Sequence, residues 1–214
     1  MLLRKDEKLV MIGDSVTDFG RARPIGEGRD AHGTGYAALV DAFLRSSYPE
    51  LNLRTVNMGV SGNTVLDLKD RWQTDVFDLK PDWVTVLIGI NDVWRQYDLP
   101  QIVERHVALA DYERTLDELV TATLPRVRGM VLMTPYYMEP LKDDWMRATM
   151  DEYGAAVKRV AARHNVPCVD LQAKFDELFE HVHSASIAWD RVHPNLTGHM
   201  LIARALLDAL EFEK

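Results

Sequence analysis

Ser15, Gly62, Asn91, Asp190 and His193 are the residues of this 214-residue chain whose types and settings fit acyl transfer. Ser15 stands in Ile12-Gly13-Asp14-Ser15-Val16-Thr17-Asp18, directly after a short apolar run. A glycine there lets the backbone turn sharply, so Ser15 would open the next segment with an accessible hydroxyl and an N–H that no helix pairs. That arrangement suits attack on a carbonyl whose oxygen becomes negative. Gly62, in Asn57-Met58-Gly59-Val60-Ser61-Gly62-Asn63-Thr64, can bring a bare backbone N–H close to a ligand. The Asn91 side chain, in Gly89-Ile90-Asn91-Asp92, is a further donor. Asp190 precedes His193 by three residues in Trp189-Asp190-Arg191-Val192-His193-Pro194. The carboxylate can then reach one imidazole nitrogen while the other faces a nucleophile.

Each piece alone has an ordinary structural explanation. Gly-Asp-Ser makes a turn, Gly62 fits a loop, Asn91 can cap a helix, and Asp190 with His193 can be a surface ion pair of little worth. The combination weighs more, because Ser15, Gly62 and Asn91 follow three successive candidate strands and so fall on one edge of a sheet.

Those strands are expected at residues 9–12, 54–57, 83–88, Gly129–Met133 and 167–169, as short apolar runs bounded by Gly, Pro or Asp. Helical patterns fill 35–47, 65–79, 102–123, Trp145–His164, 171–181 and 197–210. Strands alternating with helices of this length imply a three-layer α/β/α sandwich around a flavodoxin-like, mainly five-stranded parallel sheet. An eight-stranded barrel would need about 250 residues. Without repeats or linker-like tracts, residues 1–214 are read as one domain. In such folds ligands sit beyond the carboxyl ends of the strands.

Composition narrows the classes of function. Hydrophobic residues make up 47% and charged residues 27%, and 25 Lys plus Arg against 33 Asp plus Glu give a net charge of −8. That balance argues against a nucleic-acid partner, which needs clustered cations. The single cysteine, Cys168, excludes an intrachain disulfide and a CxxC-type zinc site, and its apolar setting reads as core. Residues 1–8 carry charges where a signal peptide needs an apolar run, and 84–90 is far short of the ~20 residues of a membrane helix. A cytoplasmic protein without membrane association is the expectation.

Taken together, these segments resemble the blocks of the SGNH hydrolase family, also called the GDSL lipase/esterase family. Its eponymous Ser, Gly, Asn and His match Ser15, Gly62, Asn91 and His193, and Asp190 matches its triad acid. The blocks run in order over almost the whole chain; the usual Gly-Asp-Ser-Leu reads Gly13-Asp14-Ser15-Val16 here, a mild departure. More narrowly, Arg21-Ala22-Arg23-Pro24, Gly33-Thr34-Gly35-Tyr36, 89–98 and 188–194 are similar to a bacterial subgroup containing intracellular acetylxylan esterases. Other patterns fall away. The G-x-S-x-G elbow is absent, which leaves Ser61 as a turn residue. Gly26-Glu27-Gly28-Arg29-Asp30-Ala31 follows no strand directly, and His181 with His183 lacks a second ligand cluster.

The resemblance implies a serine esterase without metal or organic cofactor. Ser15, Asp190 and His193 would form the triad, and Ser15 N–H, Gly62 N–H and the Asn91 amide the oxyanion hole. Asp14 is assigned to holding the Ser15 turn, not to catalysis. No long apolar lid is apparent, so a short acyl group such as acetyl is favoured. Trp94 and Trp189, with Arg95 and Tyr97 at the rim, would offer aromatic faces to a sugar; the competing reading packs both tryptophans in the core or a subunit contact. The expected substrate is a small-molecule ester, an O-acetylated saccharide such as a xylo-oligosaccharide, and the subgroup resemblance implies a homo-oligomer. A general carboxylesterase, thioesterase or lysophospholipase of the same family, or a non-catalytic binding module, stand as the alternatives.

Overall fold

The computed structural model describes residues 1–212. Strands β1 (Lys8–Gly13), β2 (Arg54–Gly59), β3 (Trp83–Leu87), β4 (Gly129–Met133) and β5 (Cys168–Val169) form one parallel sheet in the order β2-β1-β3-β4-β5. This is the flavodoxin-like order, with its switch point between β1 and β3. Gly13 stands opposite both Gly59 and Leu87, so the first three strands end level with one another.

Period-two alternation sends each strand's apolar residues to opposite layers. Val10, Val84, Val86 and Leu132 pack with α3 (Val65–Trp72), α5 (Leu109–Thr123) and α6 (Trp145–His164). Leu9, Met11, Leu87 and Val131 pack instead with α2 (Tyr36–Ser47), α7 (Leu171–Phe179) and α8 (Leu196–Ala209). Two buried faces explain why these strands read as continuous apolar runs. The remaining helices, α1 (Ser15–Asp18) and α4 (Ile90–Asp98), follow β1 and β3 directly.

The expected elements differ from the observed ones where side chains override the local pattern. The stretch 65–79 breaks after Trp72 into a π-helical turn at Gln73–Phe77. The stretch 102–123 is helical only from Leu109; before it lies a 3₁₀ turn at Val103–Arg105 and an extended segment. Val103 is exposed, off the apolar face of α5. The Val107 carbonyl accepts from Tyr153 OH instead of joining a helical ladder. Helix α4 is absent from the expected helical patterns: it is nine residues long, and only Ile90, Val93 and Trp94 form the apolar face that it packs against the core.

Helix starts near the site are capped by side chains. Thr64 and Asp67 form a capping box at α3, and Asp144 and Asn195 cap α6 and α8. Such caps contribute about 1 kcal/mol each and fix where the preceding loop must end. Among the described residues no helix is long and apolar enough to cross a membrane.

Candidate active site

The turn after β1 is fixed from below and within. A Cβ on Gly13 would collide with the Leu87 carbonyl and the Thr17 hydroxyl, so only glycine lets the chain turn here. The Asp14 side chain accepts from Val16 N–H at 2.9 Å and caps α1, the tying role assigned to it from the sequence. Burial pushes the Asp14 carboxyl up to about 7, and its hydrogen bond from Val16 only partly offsets this. Ser15 opens α1 half-buried, with its own N–H ahead of the helical ladder.

Across the strand ends, Ser15 Oγ lies 2.8 Å from His193 Nε2. His193 Nδ1 lies 2.6 Å from Asp190 Oδ2, while Asp190 Oδ1 accepts from the N–H groups of Val192 and His193 at 3.0 and 2.9 Å. A carboxylate acceptor requires the proton on Nδ1, which leaves Nε2 as the acceptor for the Ser15 hydroxyl. Burial works against the Asp190 charge, but the hydrogen bonds from His193 and Val192 outweigh it and hold the carboxyl below its ordinary value. Arg191 takes a left-handed φ of 64° between the two, which folds Asp190 back under the ring.

The loop after β2 carries Gly62 at φ 84°. Its neighbours are spoken for: Ser61 N–H donates to Asp18 Oδ2 at 3.1 Å and Asn63 N–H to the Val60 carbonyl at 3.2 Å. Gly62 N–H makes no hydrogen bond among the described residues. Asn91 is buried in the first turn of α4, so it is not the helix cap; its Nδ2 donates to the Asn63 carbonyl at 3.0 Å and its Oδ1 accepts from Arg95 at 3.1 Å. The orientation of that amide is therefore set on both sides, with one N–H still free to donate.

Sequence reading missed the side chains that brace these loops. Arg71, on α3, donates to the carbonyls of Gly13 and Met58 at 2.9 and 2.7 Å and to Asn63 Oδ1 at 2.6 Å. It thereby ties the Ser15 turn to the Gly62 loop. Asp18 does the same from α1, accepting from the Ser61 N–H and hydroxyl while paired with Arg23. Burial disfavours its charge, yet these partners keep the carboxyl below its ordinary value. Arg21, part of the subgroup resemblance, donates to the Gly59 carbonyl at 2.6 Å. Apart from its i,i+4 ion pair with Asp75, no local signal marks Arg71, because the groups it ties together lie at the ends of two strands.

The two tryptophans part company. Trp94 is half-buried against the core, its ring centroid 6.0 Å from that of His193, and Arg95 lies 4.8 Å over its face. It lines an open cleft of about 470 Å³ with Tyr97, Tyr137 and Trp145. Trp189 does not line that cleft and is not in the core; it is 88% exposed. Cys168 is half-buried, burial raising its thiol to about 11, which leaves it neutral and without nucleophilic character. His199 is buried with Nδ1 accepting from Tyr36 N–H at 3.1 Å.

A hydroxyl, an imidazole and a carboxylate in series, beside an unpaired loop N–H, define a serine hydrolase arrangement on a flavodoxin-like sheet. The chain belongs to the GDSL-like lipase/acylhydrolase family, whose model matches residues 11–201. It is 56% identical to the acetylxylan esterase of Geobacillus stearothermophilus over all of this chain and 98% of that one. The crystal structure of that esterase, Axe2, superposes with a TM-score of 0.98 over 100% of this chain and 98% of its own. Axe2 variants at a serine, a histidine and an aspartate have been solved as catalytic mutants. A second neighbour, LAE5, an alpha/beta hydrolase enzyme from the metagenome of Lake Arreo, Spain, is 55% identical with a TM-score of 0.96, over 99% of this chain and 98% of its own.

Proposed function

We propose that this chain is a serine esterase that removes acetyl groups from O-acetylated saccharides of the xylo-oligosaccharide type. The observation that carries the reading is the unbroken series Ser15 Oγ, His193, Asp190, with spacings of 2.8 and 2.6 Å. Ser15 Oγ attacks the ester carbonyl carbon while His193 Nε2 takes its proton; Asp190 stabilises the imidazolium. The negative oxygen accepts from Ser15 N–H, Gly62 N–H and the Asn91 amide. His193 then gives the proton to the leaving sugar oxygen as the C–O bond breaks. Water repeats the sequence on the acyl-enzyme, releasing acetate and restoring Ser15. Every step uses groups of this chain. Full-length similarity to an acetylxylan esterase supports the acetyl and saccharide assignment.

The test is acetate release from acetylated xylobiose and from 4-nitrophenyl acetate by the wild type and Ser15→Ala. Loss of both activities in the variant, by several orders of magnitude, is expected; hydrolysis that survives the substitution rejects the mechanism. A preference for butyryl or longer esters over acetyl ones would reject the substrate class.

A further inference from the structure

We propose that the cleft between the end of α4 and the start of α6 is the saccharide subsite, with Trp145 as the aromatic face on which a pyranose ring lies; this rests on the esterase reading above. The cleft opens beside Trp94, one ring away from His193. The leaving oxygen must approach His193 Nε2 to be protonated, so the sugar attached to it lies next to this opening. A volume of about 470 Å³ is far more than an acetyl group needs and suits one or two sugar rings.

The walls are built and held in place. Tyr97 OH donates to the Trp145 carbonyl at 2.9 Å and shares a hydrogen bond with Thr149 Oγ1 at 2.7 Å, joining α4 to the first turn of α6. Asp144 caps that turn through Arg147 N–H at 3.0 Å. Yet the Trp145 side chain, at 82% exposure, contributes almost nothing to the core. An indole so placed beside a cleft has a large apolar face that a ligand can cover, and the C–H face of a pyranose matches it.

The polar lining favours the same class of ligand. Asp98, Asp143 and Asp144 border the cleft; Asp98 is paired with Arg95 and Asp144 is used as a cap, whereas Asp143 makes no ion pair among the described residues. Carboxylates accept hydrogen bonds from sugar hydroxyls. They repel phosphate-bearing leaving groups, such as coenzyme A or a lysophospholipid head group, in a chain whose net charge is already −8. They also spoil the cleft as a tunnel for a long acyl chain.

Binding and turnover separate this proposal from the esterase reading. In the Ser15→Ala background, calorimetry with acetylated xylobiose is expected to give a Kd roughly five- to tenfold weaker when Trp145→Ala is added, the scale of one aromatic stacking contact, and near-parental when Trp145→Phe is added. In the active enzyme, Trp145→Ala is expected to raise KM for acetylated xylobiose by a similar factor, lowering the selectivity for it over 4-nitrophenyl acetate. Both variants change an exposed side chain, so thermal unfolding should remain within a few degrees of the parent. If the wild type shows Ser15-dependent hydrolysis but Trp145→Ala leaves Kd and selectivity unchanged, the subsite is wrong and the esterase reading stands. If Ser15-dependent hydrolysis is itself missing, the esterase reading fails first.

Discussion

The Arg71 guanidinium donates to the Gly13 carbonyl at 2.9 Å, and so couples helix α3 to the turn that presents Ser15. The same side chain reaches the Met58 carbonyl and Asn63 Oδ1. One cation therefore sets the distance between the nucleophile and the loop carrying Gly62.

Arg71 is a positioning residue, and its loss should appear in turnover. Arg71→Ala is expected to lower kcat on 4-nitrophenyl acetate by up to roughly 10²-fold, the cost of a displacement of about an ångström, with KM changed far less. Arg71→Lys should recover part of this, since an ammonium can hold one carbonyl but not the three-way fork. A stopped-assay kcat for Arg71→Ala within twofold of wild type would refute the coupling.

Asn91 and Arg95 should act as a unit. Asn91→Ala is expected to lower kcat by on the order of 10²–10³, the effect of removing one oxyanion donor. Arg95→Ala, which frees the Asn91 amide to rotate, should cost less, and little further in the Asn91→Ala background. A double-mutant cycle on kcat checks this; additive effects would mean that Arg95 works independently of Asn91.

Gly59 gives the nucleophile turn its room. A Cβ there would meet the backbone of Asp18 and Thr17, which cannot move without shifting α1. Gly59→Ala is expected to lower both Tm and kcat, with Gly154→Ala as the contrast, because its added Cβ would meet nothing nearer than 3.7 Å. Equal Tm values for the two variants would count against the close approach.

Two buried groups give stability opposite dependences on pH. Burial, with His193 nearby, pushes His199 down to about 4, against an unfolded value of ~6.5. Between these values the unfolded chain holds a proton that the fold excludes, so this contribution to stability falls as pH drops from ~6.5 toward 4. In His199→Gln the fall in Tm over that range should be shallower; an unchanged slope rejects the assignment.

Asp92 has the reverse sign. Burial raises its carboxyl to about 7, and Oδ2 has no hydrogen-bond partner among the described residues. Its contribution is present in full below the unfolded value of ~3.9 and is lost as pH rises through 7. Asp92→Asn removes that loss while keeping an acceptor for Val65 N–H, which Asp92 Oδ1 now binds at 3.0 Å. The Tm difference between Asp92→Asn and wild type should grow from pH 5 until the folded carboxyl ionises near 7; a constant difference would show that the buried carboxyl is already ionised at pH 5.

The sequence by itself determined the five strands, the edge of the sheet where chemistry sits, and the segments bearing Ser15, Gly62, Asn91, Asp190 and His193. These were legible because each is local: an apolar run gives a strand, the residue after it lies at a strand end, and Asp190 and His193 share one turn. Tertiary structure decided the rest. Arg71 and Asp18 earn their roles from partners on other strands and loops, and no spacing along the chain records such contacts. Nor could spacing separate Trp94, held beside His193, from Trp189, which faces solvent, or bring Trp145 to the same cleft through Tyr97. Strand periodicity is a property of neighbouring residues; the orientation of a side chain is set by whatever the folded chain packs against it.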